Sequence, residues 1–187
     1  MKRKFMFGLG IAAVVAATPF AVSTPVFASL QEAGSAIAQR LLRPEVKLEM
    51  GVEKQVIVTD ENGQEKAEWQ ALEGSATVQP GDVLRYAVES SNGGDIAAEN
   101  LVVTQPIPAA MTFTIGSQKG NSAAEATYSI DNGASYVAEP MIEVVMPDGT
   151  VEMKPAPAEA YTHVKWTFAE DLDASEAVSV SHEVTVK

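Results

Sequence analysis

The residue types that carry most enzyme chemistry are scarce in this 187-residue chain, which has no cysteine and two histidines, His163 and His182. Thiolate nucleophiles, disulfides and cysteine-ligated metals are excluded at once. Each histidine sits in a run of alternating apolar residues, and neither has the helical spacing to a second histidine and a glutamate that a hydrolytic zinc ion needs. No Gly-x-Ser-x-Gly elbow occurs, and no glycine-rich loop opens a helix, so serine-hydrolase and nucleotide-binding readings fall away. Carboxylates are abundant, with 25 Asp and Glu. A glycosidase needs only two of them facing each other, but a solvated acidic surface accounts for the same residues. The sequence therefore assigns no catalytic residue and no cofactor.

Two ligand chemistries survive that pass. Calcium takes carboxylate and backbone oxygens in exported β-domains, and the acidic clusters are Asp60-Glu61-Asn62 and Glu170-Asp171-Leu172-Asp173. Neither follows the twelve-residue EF-hand pattern. Asp171 and Asp173 are the preferred pair, because their spacing lets both reach into one turn. Glycan binding needs exposed aromatic rings. Phe5, Phe7, Phe20 and Phe27 belong to the first 28 residues, and most of the other eight aromatics fit core positions. Tyr136 and Tyr161, beside Gly- and Pro-rich loops, are left as ligand platforms.

Residues 1–28 read as an export signal: basic Lys2-Arg3-Lys4, an apolar run from Phe5 to Ala17, and the small-residue site Val26-Phe27-Ala28 before Ser29. The uninterrupted apolar run is too short to cross a bilayer, which takes roughly 20 residues. No later segment of the chain could span one. Removing three cations and no acid takes the formal charge from −12 to −15. That sign argues against nucleic acid and anionic lipid as partners, since both require a basic surface. The expected location is the periplasm, the cell surface or the medium.

The elements that would position any site are strands. Residues 29–44 form the one helical pattern, with Leu30, Ala33, Ile37 and Leu41 on one face, capping-box spacing from Ser29 to Glu32, and Pro44 as the stop. A helix this short is marginal alone, and residues 29–43 are the expected tether to an envelope or surface protein. From residue 45 to 187 the period becomes two. Leu84, Tyr86 and Val88 face one way and Arg85 and Glu89 the other; Val164, Trp166 and Phe168 share a face, as do Val178, Val180, His182, Val184 and Val186. Trp166 is expected at the centre of packing, His182 as a neutral, hydrogen-bonded core or edge histidine, and His163 in solvent. Asp60-Glu61-Asn62-Gly63, Asp131-Asn132-Gly133 and Pro147-Asp148-Gly149 mark turns. About nine short strands without crossover helices predict an all-β antiparallel sandwich.

Pro80-Gly81-Asp82-Val83-Leu84-Arg85-Tyr86, then Asn92, Gly94 and Asp95, then Ala98-Glu99-Asn100-Leu101-Val102-Val103-Thr104 and Pro106-Ile107-Pro108, followed by Tyr161-Thr162-His163-Val164-Lys165-Trp166, resemble the bacterial conserved-repeat domain known as domain of unknown function eleven. The resemblance covers roughly residues 45–187. It implies an immunoglobulin-like β-sandwich in an exported or cell-surface protein, with no catalytic residues to carry over. Gln105 departs from the acidic residue often found before the Ile-Pro turn, so no carboxylate site is expected there. Pro80, Gly81, Asp82, Tyr86, Asn92, Gly94, Pro108 and Trp166 are read as folding positions: Pro80-Gly81-Asp82 turns the chain into a strand, Asn92 and Gly94 supply positive φ, and Pro106 and Pro108 end pairing. The expected function is a non-enzymatic structural or interaction module of the cell envelope or surface. A glycan- or calcium-binding sandwich is the alternative.

Overall fold

A computed structural model describes residues 5–6, 43–74, 76–121 and 124–187. Within them run β1 (Phe5–Met6), β2 (Val46–Thr59), β3 (Glu65–Ala71), β4 (Thr77–Val78), β5 (Val83–Asn92), β6 (Val102–Pro106), β7 (Met111–Phe113), β8 (Lys119–Gly120), β9 (Ala124–Ser129), β10 (Met141–Val145), β11 (Val151–Pro155), β12 (His163–Phe168) and β13 (Ala177–Val186). One 3-10 turn, Ala158–Ala160, leads into β12. The helix expected over 29–43 and the export signal lie outside the described residues, except for Arg43 and for Phe5–Met6, which pair with Thr77–Val78.

The fold is an antiparallel β-sandwich. Its larger sheet has the order β3-β2-β5-β13-β7, with β8 also on β13, and its smaller sheet the order β6-β12-β9. The two-stranded hairpin β10–β11 joins neither. The period-two reading explains which sheets close on each other. Leu84, Tyr86 and Val88 of β5 and Val180, Val184 and Val186 of β13 are buried on the inner face of the larger sheet. From the smaller sheet, Val103, Val164, Trp166 and Phe168 oppose them.

Trp166 lies in the middle strand of the smaller sheet, between Val103 and Ala126. It is 1 % exposed, and its ring meets His182 of the opposite sheet at 5.8 Å between centroids. The central packing role holds. At one end of the sandwich, Phe113, Tyr128 and Tyr161 form a second aromatic knot with centroids 5.2–5.5 Å apart, within the 4.5–7 Å range in which offset or tilted rings attract.

Two turn expectations change in detail. In the β2–β3 hairpin only Gly63 of the Asn-Gly pair has positive φ. The Asp60 carboxylate shapes the loop, accepting from the backbone N–H groups of Asn62 and Gln64 at 2.8 Å each. β6 ends at Pro106, but the proline does not end the pairing at once: Ile107 N–H still donates to the Thr162 carbonyl at 2.7 Å. β6 is an edge strand, where a proline's missing donor can fall on the unpaired side at no cost.

Candidate functional site

The motif at residues 80–94 builds two staples. At one end, Gly81 N–H donates to the Val186 carbonyl and Val186 N–H to the Asp82 carbonyl, both at 2.9 Å, which ties the start of β5 to the end of β13. The Asp82 carboxylate accepts from Gln79 N–H and the Lys54 ammonium at 2.7 Å each. The other end turns on Asn92, 1 % exposed. Its Oδ1 accepts from the N–H groups of Glu45 and Gly94 at 3.0 Å, and its Nδ2 donates to the carbonyls of Ile96 and Leu172 at 2.7 and 3.0 Å. Every hydrogen-bonding position of the amide is used.

The positive φ expected at Asn92 and Gly94 is not what these residues supply; Asn100, Asn132 and Ser175 hold that backbone among the non-glycines. Asn92 ends β5 in extended form so that its amide reaches four partners. Gly94 lies under the crossing chain, where a Cβ would stand 2.3 Å from the Arg43 carbonyl oxygen and 2.6 Å from Glu45 N. Tyr86 is buried, stacks on His182 at 5.7 Å, and directs its hydroxyl to Met111 Sδ; burial raises its pKa. Pro108 accepts from Met111 N–H in the turn before β7. Gln105 is buried at 2 % exposure and belongs to the core.

Of the two expected glycan platforms, Tyr161 does not survive in that role. Tyr161 is 9 % exposed and packs on Phe113 and Tyr128, because the turn after the Pro-Ala-Pro segment folds it inward. Tyr136 is half-buried. The Lys165 ammonium lies 4.3 Å from its ring centroid and His163 meets it edge-on, so one face of the ring is already covered by a cation. His163 is correspondingly only partly in solvent, with Nδ1 3.1 Å from Thr162 Oγ1.

The calcium candidates are separated by surroundings. Asp171 lines a cleft of about 260 Å³ together with Glu170, Glu176 and Asn121. Asp173 is exposed, beyond the buried Leu172, and its carbonyl accepts from Glu176 N–H. Among the described residues no group of three or more His, Asp or Glu side chains is arranged to hold a metal ion.

Serine, aspartate and histidine do come together once, around the turn at 131–133. Ser129 Oγ donates to Asp131 at 2.6 Å, Ser135 Oγ and N–H also reach that carboxylate, and Thr162 Oγ1 donates to the Ser129 carbonyl. These bonds hold the Asp131 carboxyl well below the usual range, the Ser129 hydrogen bond contributing most. His163 engages Thr162 rather than Ser129. A hydroxyl bonded to a carboxylate held this far below its usual range, with no imidazole on it, has only a feeble base beside it, and the cluster shapes a loop.

Three features were not read from the sequence. His182 is a core residue as expected, but among the described residues neither ring nitrogen has a hydrogen-bond partner. It is surrounded by Tyr86, Phe113 and Trp166, and burial lowers its pKa to about 4. The hairpin β10–β11 presents one face of exposed apolar residues, Met141, Val145, Val151 and Met153 at 40–71 % exposure. Val145 opposes Val151 and Glu143 opposes Met153, which puts them on one side. The available signal was that Met141-Ile142-Glu143-Val144-Val145 is apolar on both faces of a strand. On the outer face of the larger sheet, the Arg85 guanidinium stacks 4.3 Å from the Trp69 ring centroid and is bonded to Glu53 at 2.7 Å; the outward position of Arg85 was legible, its two partners were not. No family model, curated protein or solved structure matches the chain.

Proposed function

We propose that this chain is an exported, non-enzymatic interaction module of the bacterial cell envelope or surface, built on a sandwich of the conserved-repeat type and docking through the β10–β11 hairpin. The observation that carries the reading is that hairpin. Among the described residues it is hydrogen-bonded into neither sheet and both of its strand edges are unpaired; Ile142 packs on the core, while the outward face holds Met141, Val145, Val151 and Met153. A two-stranded ribbon is marginal by itself in water. Exposed apolar side chains gathered on one face, with Glu143 among them and Asp148 exposed at the hairpin turn, are the usual character of a protein contact that also carries polar groups. Four side chains cover a smaller area than the roughly 800 Å² per partner of a standard stable interface, so the contact is transient or one part of a larger assembly. Export rests on the basic, apolar and small-residue order of residues 1–28.

Site-specific photo-crosslinking in the native envelope tests both parts. A crosslinker at Val145 should capture a defined envelope protein that one at Glu68, on the opposite hairpin β2–β3, does not, and Met153→Glu should abolish the capture while leaving urea unfolding unchanged. Equal capture from both positions, or recovery of the intact 187-residue chain from the cytosol, would remove the proposal.

A further inference from the structure

A second surface, independent of the hairpin, has the make-up of a ligand site. The outer face of the larger sheet carries a depression of about 290 Å³ lined by Glu53, Arg85, Ala87, Lys119, Ser179 and Ser181. The ladder registers explain its shape. Gly51 of β2 pairs with Ala87 of β5, Ala87 with Ser181 of β13, and Ser181 with Lys119 of β8. Four adjacent strands thus put three small residues and then a lysine in one row across the sheet. Strands are about 4.8 Å apart, so the row is a trough roughly 14 Å long.

The next row is tall. Glu53 pairs with Arg85, and Arg85 with Glu183. Arg85 is gripped from two sides, Nε donating to Glu53 Oε2 at 2.7 Å and the guanidinium lying over Trp69. A guanidinium has five N–H donors in a fixed plane, and these contacts hold that plane at the wall of the trough without using all five. Glu53 supplies an acceptor beside it, Ser179 and Ser181 supply hydroxyls, and the Lys119 ammonium closes the far end. Asn121 fixes that end by accepting from Ser179 N–H at 2.7 Å.

We infer that this trough binds a neutral oligosaccharide. Three observations select that class. Donors and acceptors alternate at short range, as a chain of hydroxyl groups requires. The cations Arg85 and Lys119 are offset by Glu53 in the lining and by Glu183 in the adjoining row, which disfavours an anionic ligand. The floor of Ala87 and Ser181, continued by Gly51 in the same row, lets a flat ring approach the sheet, and the Arg85 guanidinium, backed by Trp69, offers a planar flank. The trough, rather than the buried Tyr161, is the place where a sugar would bind.

The test is titration of the isotopically labelled protein with chitotetraose and cellotetraose, followed by amide NMR, with trigalacturonate as an anionic probe. One of the neutral probes should shift the amides of Gly51, Ala87, Gly120 and Ser181 and saturate below about 1 mM, an affinity in keeping with a shallow, open site. Glu53→Gln and Lys119→Met should each weaken binding about fivefold, the equivalent of one net hydrogen bond. Ser181→Arg, which fills the trough from an outward-facing position, should abolish it. A spectrum unchanged in its dispersed β-sheet signals shows that each variant is folded. No shift with either neutral probe, shifts confined to residues 141–155, tighter binding of trigalacturonate, or undiminished binding by Ser181→Arg would each overturn the inference. A failure here leaves the hairpin crosslinks intact, and a failure of the crosslinks leaves this titration intact.

Discussion

His182 should make the domain lose stability between neutral and mildly acid pH, before most surface carboxylates are protonated. Its ring is 1 % exposed, stacked on Tyr86 and flanked by Phe113 and Trp166, and among the described residues both nitrogens lack partners. Burial disfavours the imidazolium, so the folded pKa is lowered to about 4 from the ordinary 6.5. The unfolded chain therefore binds a proton at pH 6 that the folded chain refuses. Stability from this group is complete above about pH 6.5, declines as pH falls, and levels off below about pH 4. At about 1.4 kcal/mol per pH unit, the interval amounts to about 3 kcal/mol, a large part of an ordinary domain's 5–15 kcal/mol. His182→Leu removes the titration and the two unpartnered nitrogens while keeping an apolar side chain of similar size. It should stabilise the protein by about 1–3 kcal/mol at pH 7.5 and by about 3 kcal/mol more at pH 4. The assay is urea unfolding of parent and variant from pH 7.5 to 4, where the difference between the two profiles cancels the shared carboxylates. Parallel profiles, or a His182 ring proton titrating near 6.5 by NMR, would refute the reasoning.

Other expectations follow from packing and hydrogen bonding. Trp166→Ala opens a cavity at the centre of the smaller sheet and should cost roughly 3–5 kcal/mol in urea unfolding; a parent-like midpoint would mean the ring is not a core residue. Asn92→Leu leaves the N–H groups of Glu45 and Gly94 and the carbonyl of Ile96 without their side-chain partner, while the Leu172 carbonyl keeps its bond from Ala98 N–H. At about 1–3 kcal/mol for each one that water cannot reach, it should destabilise at least as much as Trp166→Ala, and hydrogen exchange should accelerate first around residues 43–46. Gly94→Ala should release that same crossing, since its Cβ would meet the Arg43 carbonyl at 2.3 Å; unchanged exchange at Glu45 would contradict the close approach. Treatment with a chelator should move the melting temperature by less than about 1 °C, whereas a drop restored by calcium would place a metal at the Glu170–Asp173 segment, because an ion bound only to the folded state stabilises it by mass action.

Much of the fold was legible because a strand displays its burial every second residue. The alternations in 83–89, 163–168 and 177–186 marked Leu84, Tyr86, Val88, Val164, Trp166 and Val184 as inward-facing, and those residues form the core. Turn chemistry placed the hairpins at 60–63 and 147–149, since local backbone demands are met by local residues. What a strand cannot announce is its neighbour across the sheet. That Gly51, Ala87, Ser181 and Lys119 form one row depends on three registers between residues up to 94 positions apart, and that Trp69 holds Arg85 depends on one of these, β2 with β5, together with that of β2 with β3. The burial of Tyr161 was misjudged for a related reason: a tyrosine beside prolines looks like a loop residue until Phe113 and Tyr128 close over it. Periodicity records which side of a strand faces the core. Only tertiary structure decides which strands lie side by side, and any site on this protein is made of side chains brought together in that way.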